Sequence, residues 1–501
     1  MSSSESNPDQ AWQANVRPAN WVNPSPNGRY GLVVIGAGSA GLVSAAGAAG
    51  LGARVALIEK HRLGGDCLNT GCVPSKALLA SARGLRELKN WQRLGLVGGN
   101  PPHPDFASMM QRMRQIRAEI SPHDSASRFQ GLGVDVFFGS ARFTGPQAIE
   151  VDGTRLTFSK AIIATGARPA IPEIPGLRAA GPLTSESIFT LTSLPRRLAV
   201  IGGGPLGCEL GQAFARFGSV VTLIESNPQI LHREDPDAAA MVAASLERDG
   251  LQILRQTSIV AVECQGTEKR LQLQTASGPQ SLPFDAILVA VGRSPNFEGL
   301  ELERAGVALN SKGLVLDDRL RTTNRRIYAA GDVATKYQFT HMADAMARIV
   351  LQNGLFLGRA RVSALTVPWC TYTDPELAHV GLLEHQAREL GLRVTTIEQP
   401  FERTDRAILD GKTEGFIRVV LNGQSDRILG ATIVGEGAGD LISMVSLAMS
   451  SRLGLKAIGK TVMPYPTRSE LLKRVADAYN RTRLTPTTQR WLSRWLRLTN
   501  S

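Results

Sequence analysis

Two cysteines five positions apart carry the most distinctive chemistry of this 501-residue chain, in the stretch GGDCLNTGCVPSKALLA (residues 64–80). A structural zinc site would need about four ligands, and only His61 lies near enough to add to Cys67 and Cys72. A pair of unrelated buried thiols is the plainer alternative. The surroundings favour a redox-active disulfide over both. Gly64, Gly65 and Gly71 loosen the loop so that the sulfurs can meet, and Pro74 suits the first turn of a helix. That helix places Cys72 at its N-terminus, where the partial positive charge favours thiolate. Lys76 sits in the same early turns, an unfavourable place for a cation, and so calls for a specific anionic partner. Cys208, Cys264 and Cys370 are scattered and read as small packed hydrophobes.

A second stretch, MPYPTRSE (463–470), holds Tyr465 between two prolines, which leaves its backbone little freedom. A phenol of pKa ~10 is ionised about one part in a thousand at pH 7, so it is a poor base but a competent hydrogen-bond donor. Thr467 and Glu470 have the spacing of a capping box, which competes with any catalytic use of that acid.

The elements that must position these groups follow from apolar runs and glycines. YGLVVIGAGSAGLVSAAGAAGLGARVALIEK (30–60) reads as strand, glycine turn, helix and strand. Gly36, Gly38 and Gly41 allow a pyrophosphate to approach the helix N-terminus, and Glu59 ends the next strand where ribose hydroxyls would lie. RLAVIGGGPLGCELGQAFARFGSVVTLIES (197–226) repeats the unit with Gly202, Gly204, Gly207 and Glu225. A carboxylate at 225 repels a 2′-phosphate and so favours NADH, while nearby Arg233 keeps NADPH open. Further apolar strands end on glycine at AIIATGARP (Gly166), AILVAVGRSPN (Gly292) and IYAAGDV. Beyond residue 363 the alternation of FIRVVLN and ILGATIVG predicts an antiparallel sheet, followed by helices near 440–454 and 467–481. The expected fold class is α/β, with two Rossmann-like nucleotide-binding domains and a C-terminal α+β domain.

The net charge of +12 and a pI near 9.8 come from dispersed arginines, with no helix-turn-helix or aromatic-rich module, so nucleic acid is not an expected partner. Five cysteines do not make a disulfide scaffold. The polar MSSSESNPDQ lacks the apolar core of a signal peptide, no apolar run is long enough to span a bilayer, and the expected location is cytoplasmic. Residues 1–29 read as an extension that wraps or stays mobile. RTRLTPTTQRWLSRWLRLTNS (481–501) sets Trp491, Leu492, Trp495 and Leu496 at helical spacing beside Arg490, Arg494 and Arg497. Such a tail packs on the dimer or makes weak contact with an anionic membrane surface.

Taken together, G-G-x-C-x-x-x-x-G-C-x-P-S-K and the two dinucleotide motifs resemble the flavin-dependent pyridine nucleotide–disulfide oxidoreductases, over residues 30–481. The resemblance implies FAD on residues 30–178 and 301–362, with Asp332 of AAGD on the ribityl chain. It implies NAD(P)H on 179–300, and a dimerisation domain on 363–482 ahead of the basic tail 483–501. Lys76 would lie at the flavin paired with Glu209, and a homodimer would bring the partner's Tyr465 segment to each active site. Hydride would pass from NADH to the flavin and electrons then to the Cys67–Cys72 disulfide, with Cys72 beside the flavin and Cys67 meeting substrate.

Disulfide-reducing members of the family carry H-P-T-x-S-E, in which the histidine moves protons and the glutamate orients it. Here Tyr465 stands at the histidine position. Mercuric reductases carry a tyrosine there, and FTHMADAMARIVLQN (339–353) also looks like theirs. The expected substrate is therefore Hg2+ at Cys67 and Cys72, with no structural metal. A dihydrolipoamide dehydrogenase-like or quinone reductase is the alternative, and a redox-sensing binding protein is the rival of another class. Two departures stand against a standard mercuric reductase: no cysteine follows Cys370, and no C-x-x-C metal-binding domain precedes the first unit. Pro205 also replaces the aromatic that dihydrolipoamide dehydrogenases typically carry near the nicotinamide.

Overall fold

In the computed structural model, which describes residues 7–97, 103–266 and 268–499, the chain forms two compact units. The first six residues of the extension and the last two of the tail lie outside the described residues. One unit comprises the described residues up to Gly202, with Ala213–Leu223 and Ser258–Leu365; the other comprises Gly203–Gln212, Ile224–Thr257 and the residues from Thr366 onward.

The first unit is built on a sheet whose order is Val134–Phe138, Val55–Glu59, Tyr30–Ile35, Thr154–Ile163. Its central strands are parallel and almost wholly buried, which is why they read as unbroken apolar runs rather than alternating ones. Ile327–Ala329, nearly 300 residues downstream of the first strand, pairs in parallel with Thr154–Ile163, and Ala148–Val151 and Ala141–Gly145 extend the sheet as antiparallel strands. The helix Ser39–Gly50 is rich in glycine and alanine. At Gly47 a Cβ would collide with Leu351, so small side chains let the helix Thr340–Leu355 lie against it. The strands Arg197–Ile201 and Ala286–Val289 pair in parallel in the same unit.

Within the described residues the extension opens with a helix. Asn7 caps a helix, Pro8–Val16, with proline at its start and Asp9 in its first turn, all favourable at a helix N-terminus. Trp12 and Val16 of that helix are buried with Leu68.

In the second unit the expected antiparallel sheet runs in the order Pro368–Thr371, Glu376–Gly381, Ile428–Gly435, Phe416–Asn422, Val394–Pro400. Ala438–Ser450 and Glu470–Thr482 pack on it through Ile442, Val445, Leu472 and Val475. The capping box does not form. Helix Glu470–Thr482 starts two residues later than the capping-box spacing predicts, with Ser469 at its N-cap, and the Thr467 hydroxyl donates to Pro464 O instead. The tail folds as a helix, Pro486–Thr499, with no buried residue; Trp491 and Trp495 stack on its exposed face. Of the scattered cysteines, Cys208 is buried and Cys370 half-buried. Cys264 is exposed, contrary to expectation, because it lies in the outer reach of the thinly covered strand Ser258–Gln265. Among the described residues no helix is long and apolar enough to cross a membrane.

Candidate active site

The two nucleotide motifs fold into the same small device. Gly36 and Gly202, each just past a buried strand, have φ of 102° and 103°. In each case a Cβ would run into the carbonyl of Ala164 or Ala290 on the neighbouring strand. The acids match as well. Glu59 accepts the Ala37 N–H (2.8 Å) through one oxygen and the His61 N–H (2.6 Å) through the other. Glu225 accepts the Gly203 N–H (2.8 Å) and the Asn227 N–H (2.7 Å) in the same pattern, with the Asn227 amide added. The spacing is identical: the residue after the first glycine, and the residue two beyond the acid. Burial pushes the Glu59 carboxyl up despite these bonds. At Glu225 burial acts in the same direction, but the donors from Asn227 and Gly203 outweigh it and hold the carboxyl below its ordinary range. Gly38 and Gly41 flank the first helix start. Gly204 accepts from Cys208 N, and Gly207 lies inside the helix that opens at Pro205, a residue well suited to a first helical position.

The cysteine loop rests on the first device. Gly64 and Gly65 take positive φ (90° and 55°), and a Cβ on Gly65 would strike Gly38, so the loop lies directly on the glycine turn. The short helix Gly65–Asn69 follows, then the helix Cys72–Asn90, which puts Cys72 at its first position as expected. Both sulfurs are thiols in this structure; Cys67 is half-buried and Cys72 exposed in this chain. Hydrogen bonding with Cys72 and burial push the Cys67 thiol up, and the charge of Asp124 adds to this. Two sulfurs this close share one negative charge between them far more readily than they carry two.

Several residues at the site were not singled out by the sequence, although Thr340 falls within the 339–353 stretch noted above. Thr340, the first residue of its helix, sets its Oγ1 3.4 Å from Cys72 Sγ, across 268 residues of chain. Asn69, between the cysteines, is 6% exposed and acts as the hub of the loop. Its amide donates to Leu63 O (2.9 Å) and Gly65 O (2.8 Å), while Oδ1 accepts the indole N–H of Trp12 at 2.8 Å. Arg117, held by Asp9 at 2.8 Å, lies 3.8 Å from the centre of the Trp12 ring and donates to Asn69 O. The helix-start pattern N-P-D could have flagged the Trp12 helix; nothing local flags its target.

Gly166 and Gly292 each turn with positive φ into a two-stranded ribbon, Ala167–Pro169 against Arg293–Pro295. From that ribbon Arg293 bonds to Asp66, next to Cys67, and its Nε lies 3.5 Å from Asp332 Oδ2. Burial pushes the Asp332 carboxyl up to about 6, against the pull of Arg293. Glycine turns with no room for a side chain, a carboxylate at the ribose end and a half-buried Asp332 held beside the cysteine loop by Arg293 fit a flavin dinucleotide.

Lys76 lies one turn along the cysteine helix, in the first unit. Glu209 lies in the second, 3% exposed, accepting the Tyr372 N–H at 2.8 Å. Tyr465 is 70% exposed and its hydroxyl donates to Asp405 Oδ2 at 2.7 Å; that bond, with the carboxylate's charge, pushes the phenol up. Glu470 is bound instead by Arg474 at 2.8 Å, and its second oxygen is buried without a hydrogen-bond partner. Tyr465 is thus oriented by Asp405 and not by the glutamate of its own motif.

Comparison with known proteins places these features in one family. The pyridine nucleotide-disulphide oxidoreductase model matches residues 30–347, and the family's dimerisation domain matches 367–476. A mercuric reductase of Staphylococcus aureus is 36% identical over 465 residues, 92% of this chain and 84% of that protein. A dihydrolipoyl dehydrogenase of Thermus scotoductus is also 36% identical, over 90% of this chain and 98% of its own. Among solved structures, the Cu(II) complex of the HOCl-induced flavoprotein disulfide reductase RclA from Escherichia coli superposes with a TM-score of 0.80 at 29% identity, over 90% of this chain and all of the other. This chain belongs to the pyridine nucleotide-disulphide oxidoreductases, enzymes that work with FAD and NAD(P)H.

Proposed function

We propose that the enzyme passes electrons from NADH through Cys67 and Cys72 to a soft metal ion, reducing Hg2+ to elemental mercury as its mercuric reductase relatives are named for doing. The observation that carries this reading is at position 465: segment 463–470 holds no histidine, and an exposed tyrosine stands in its place. A disulfide substrate releases a thiolate that must be protonated, and a phenol at neutral pH is a weak agent for cycling that proton. A thiophilic cation has no leaving group to protonate. Two electrons leave the sulfur pair for the bound ion as the Cys67–Cys72 bond forms, and the two thiol protons pass to solvent.

FAD, when bound, supplies the two-electron transfer between NAD(P)H and the sulfur pair. Glu59 and Asp332 are the residues that would hold its adenosine ribose and ribityl chain; Gly36, Gly38, Gly41 and Gly166 would admit it closely. Gly202, Gly204, Gly207, Glu225 and Gly292 would serve NADH. Lys76 would sit by the flavin with Glu209 as its counter-ion. The dimerisation domain supports a homodimer in which the partner supplies Tyr465. The exposed Trp and Leu side chains of the tail helix, beside arginines, support a weak contact with anionic membrane surfaces.

Anaerobic titration with NADH, then turnover with Hg2+, lipoamide, glutathione disulfide and quinones, tests the proposal. The expected result is NADH-dependent loss of Hg2+ that Cys67→Ala abolishes, with little activity on the two disulfides. Quinone turnover that survives Cys67→Ala, together with no turnover of Hg2+, refutes the mercury reading.

A further inference from the structure

The motif that carries Tyr465 is lashed to a distant segment at two points. Tyr465 donates to Asp405 at 2.7 Å, and Arg468 donates to Asp410 Oδ2 at 2.5 Å. Asp405 and Asp410 bracket the one-turn helix Asp405–Leu409, which is seated by the fully buried Thr404 and Ala407. Arg406 turns away from Asp405 to share Asp410 with Arg468. The phenol therefore has a fixed partner on a seated element, although its ring is mostly exposed.

We propose that Asp405 is a positioning residue that takes up the phenol's proton in a hydrogen bond and so turns the lone pairs of Tyr465, not its hydrogen, toward the acceptor. The inference rests on the reading above that Tyr465 faces the acceptor, and it adds which acceptors that face admits. A phenol has one proton to give and two lone pairs. Once the proton is committed to a carboxylate, the oxygen can meet a cation but cannot protonate a departing thiolate. Asp405 thereby sorts metal cations from disulfides, and it does so through a residue 60 positions from the motif. Glu470, engaged by Arg474, plays no part in this orientation.

The test compares holoenzymes of the wild type, Asp405→Asn, Asp405→Glu and Tyr465→Phe, each first shown to accept electrons from NADH as a check of folding. Absorbance at the phenolate band, taken as the difference from Tyr465→Phe, isolates the titration of this one tyrosine. Loss of the carboxylate in Asp405→Asn removes an anion that opposes phenolate formation, so the midpoint is expected to fall. Hg2+ kcat/KM is expected to fall by about tenfold, in line with losses of residues that orient a metal-facing group. Asp405→Glu is expected to restore most of it. A midpoint unmoved in Asp405→Asn overturns the proposal. A midpoint that falls while Tyr465→Phe keeps wild-type Hg2+ turnover leaves the pairing intact but refutes the placement of Tyr465 at the acceptor, and with it the sorting role.

Discussion

Glu234 and His379 flank the indole of Trp369 inside the second unit, and their protons pull stability in opposite directions. Trp369 Nε1 donates to Glu234 Oε1 at 2.6 Å, and its ring centre lies 4.7 Å from that of His379. Burial pushes the Glu234 carboxyl up to about 7 and the His379 imidazole down to about 4. Glu234 is raised above its ordinary 4.5, so its contribution is fully present below that pH and is lost as pH climbs to 7. His379 is depressed below 6.5, so its contribution is present above that pH and is lost as pH falls toward 4. Over most of that window the slopes oppose one another. Glu234→Gln is expected to unmask a stability that rises from pH 4 to 6.5 and to abolish the loss, about 3 kcal/mol by linkage, that wild-type Glu234 imposes as pH rises to 7. His379→Gln is expected to give the reverse slope. Thermal denaturation of both variants and wild type between pH 4 and 8 checks this; parallel curves would mean that neither group titrates with folding.

At the scale of elements, the active loop is only as well placed as the helix beneath it. Pro8–Val16 contributes one buried indole, and that indole donates to Asn69, which in turn ties Leu63 and Gly65 together just before Cys67. Trp12→Phe keeps most of the ring but leaves the buried Asn69 oxygen without that donor, at a cost of about 1–3 kcal/mol. The expected outcome is a lower Tm and faster amide exchange confined to residues 63–72, with nucleotide binding in the second motif unchanged. Unchanged exchange in that loop would show that the brace carries no load. The repeated glycine devices were legible because each is closed within one strand–turn–helix–strand unit. The brace was not, because its partners lie 57 residues apart and neither has a special type or spacing.

For the whole molecule, the charge of +12 is spread except at the tail, where Arg481, Arg483, Arg490, Arg494 and Arg497 occur without an acid. On the helix Pro486–Thr499 the tryptophans and leucines form one face and the arginines the opposite one, an amphipathic arrangement that can lie in a lipid headgroup layer. The full chain is expected to pellet with anionic vesicles and not with zwitterionic ones, to lose that binding as salt shortens the reach of the arginines, and to lose it wholly without residues 483–501. Equal pelleting of the full and shortened forms would rule out membrane contact by the tail.

The glycine spacing and the paired cysteines carried the resemblance that implied the family and its cofactors, and the Y-P-T-R-S-E departure from it pointed to the substrate class. They could do so because a Rossmann turn demands particular backbone angles and a neighbouring acid within one short unit. Tertiary structure decided which side chains serve those motifs. Thr340 reaches Cys72 from 268 residues away, Asp405 and not Glu470 takes the phenol, and of the two readings of the extension the wrapping one holds, with Trp12 propping the cysteine loop. Such contacts depend on how strands and helices pack, and packing joins residues whose types are ordinary and whose separation has no period. Only the folded chain brings them together.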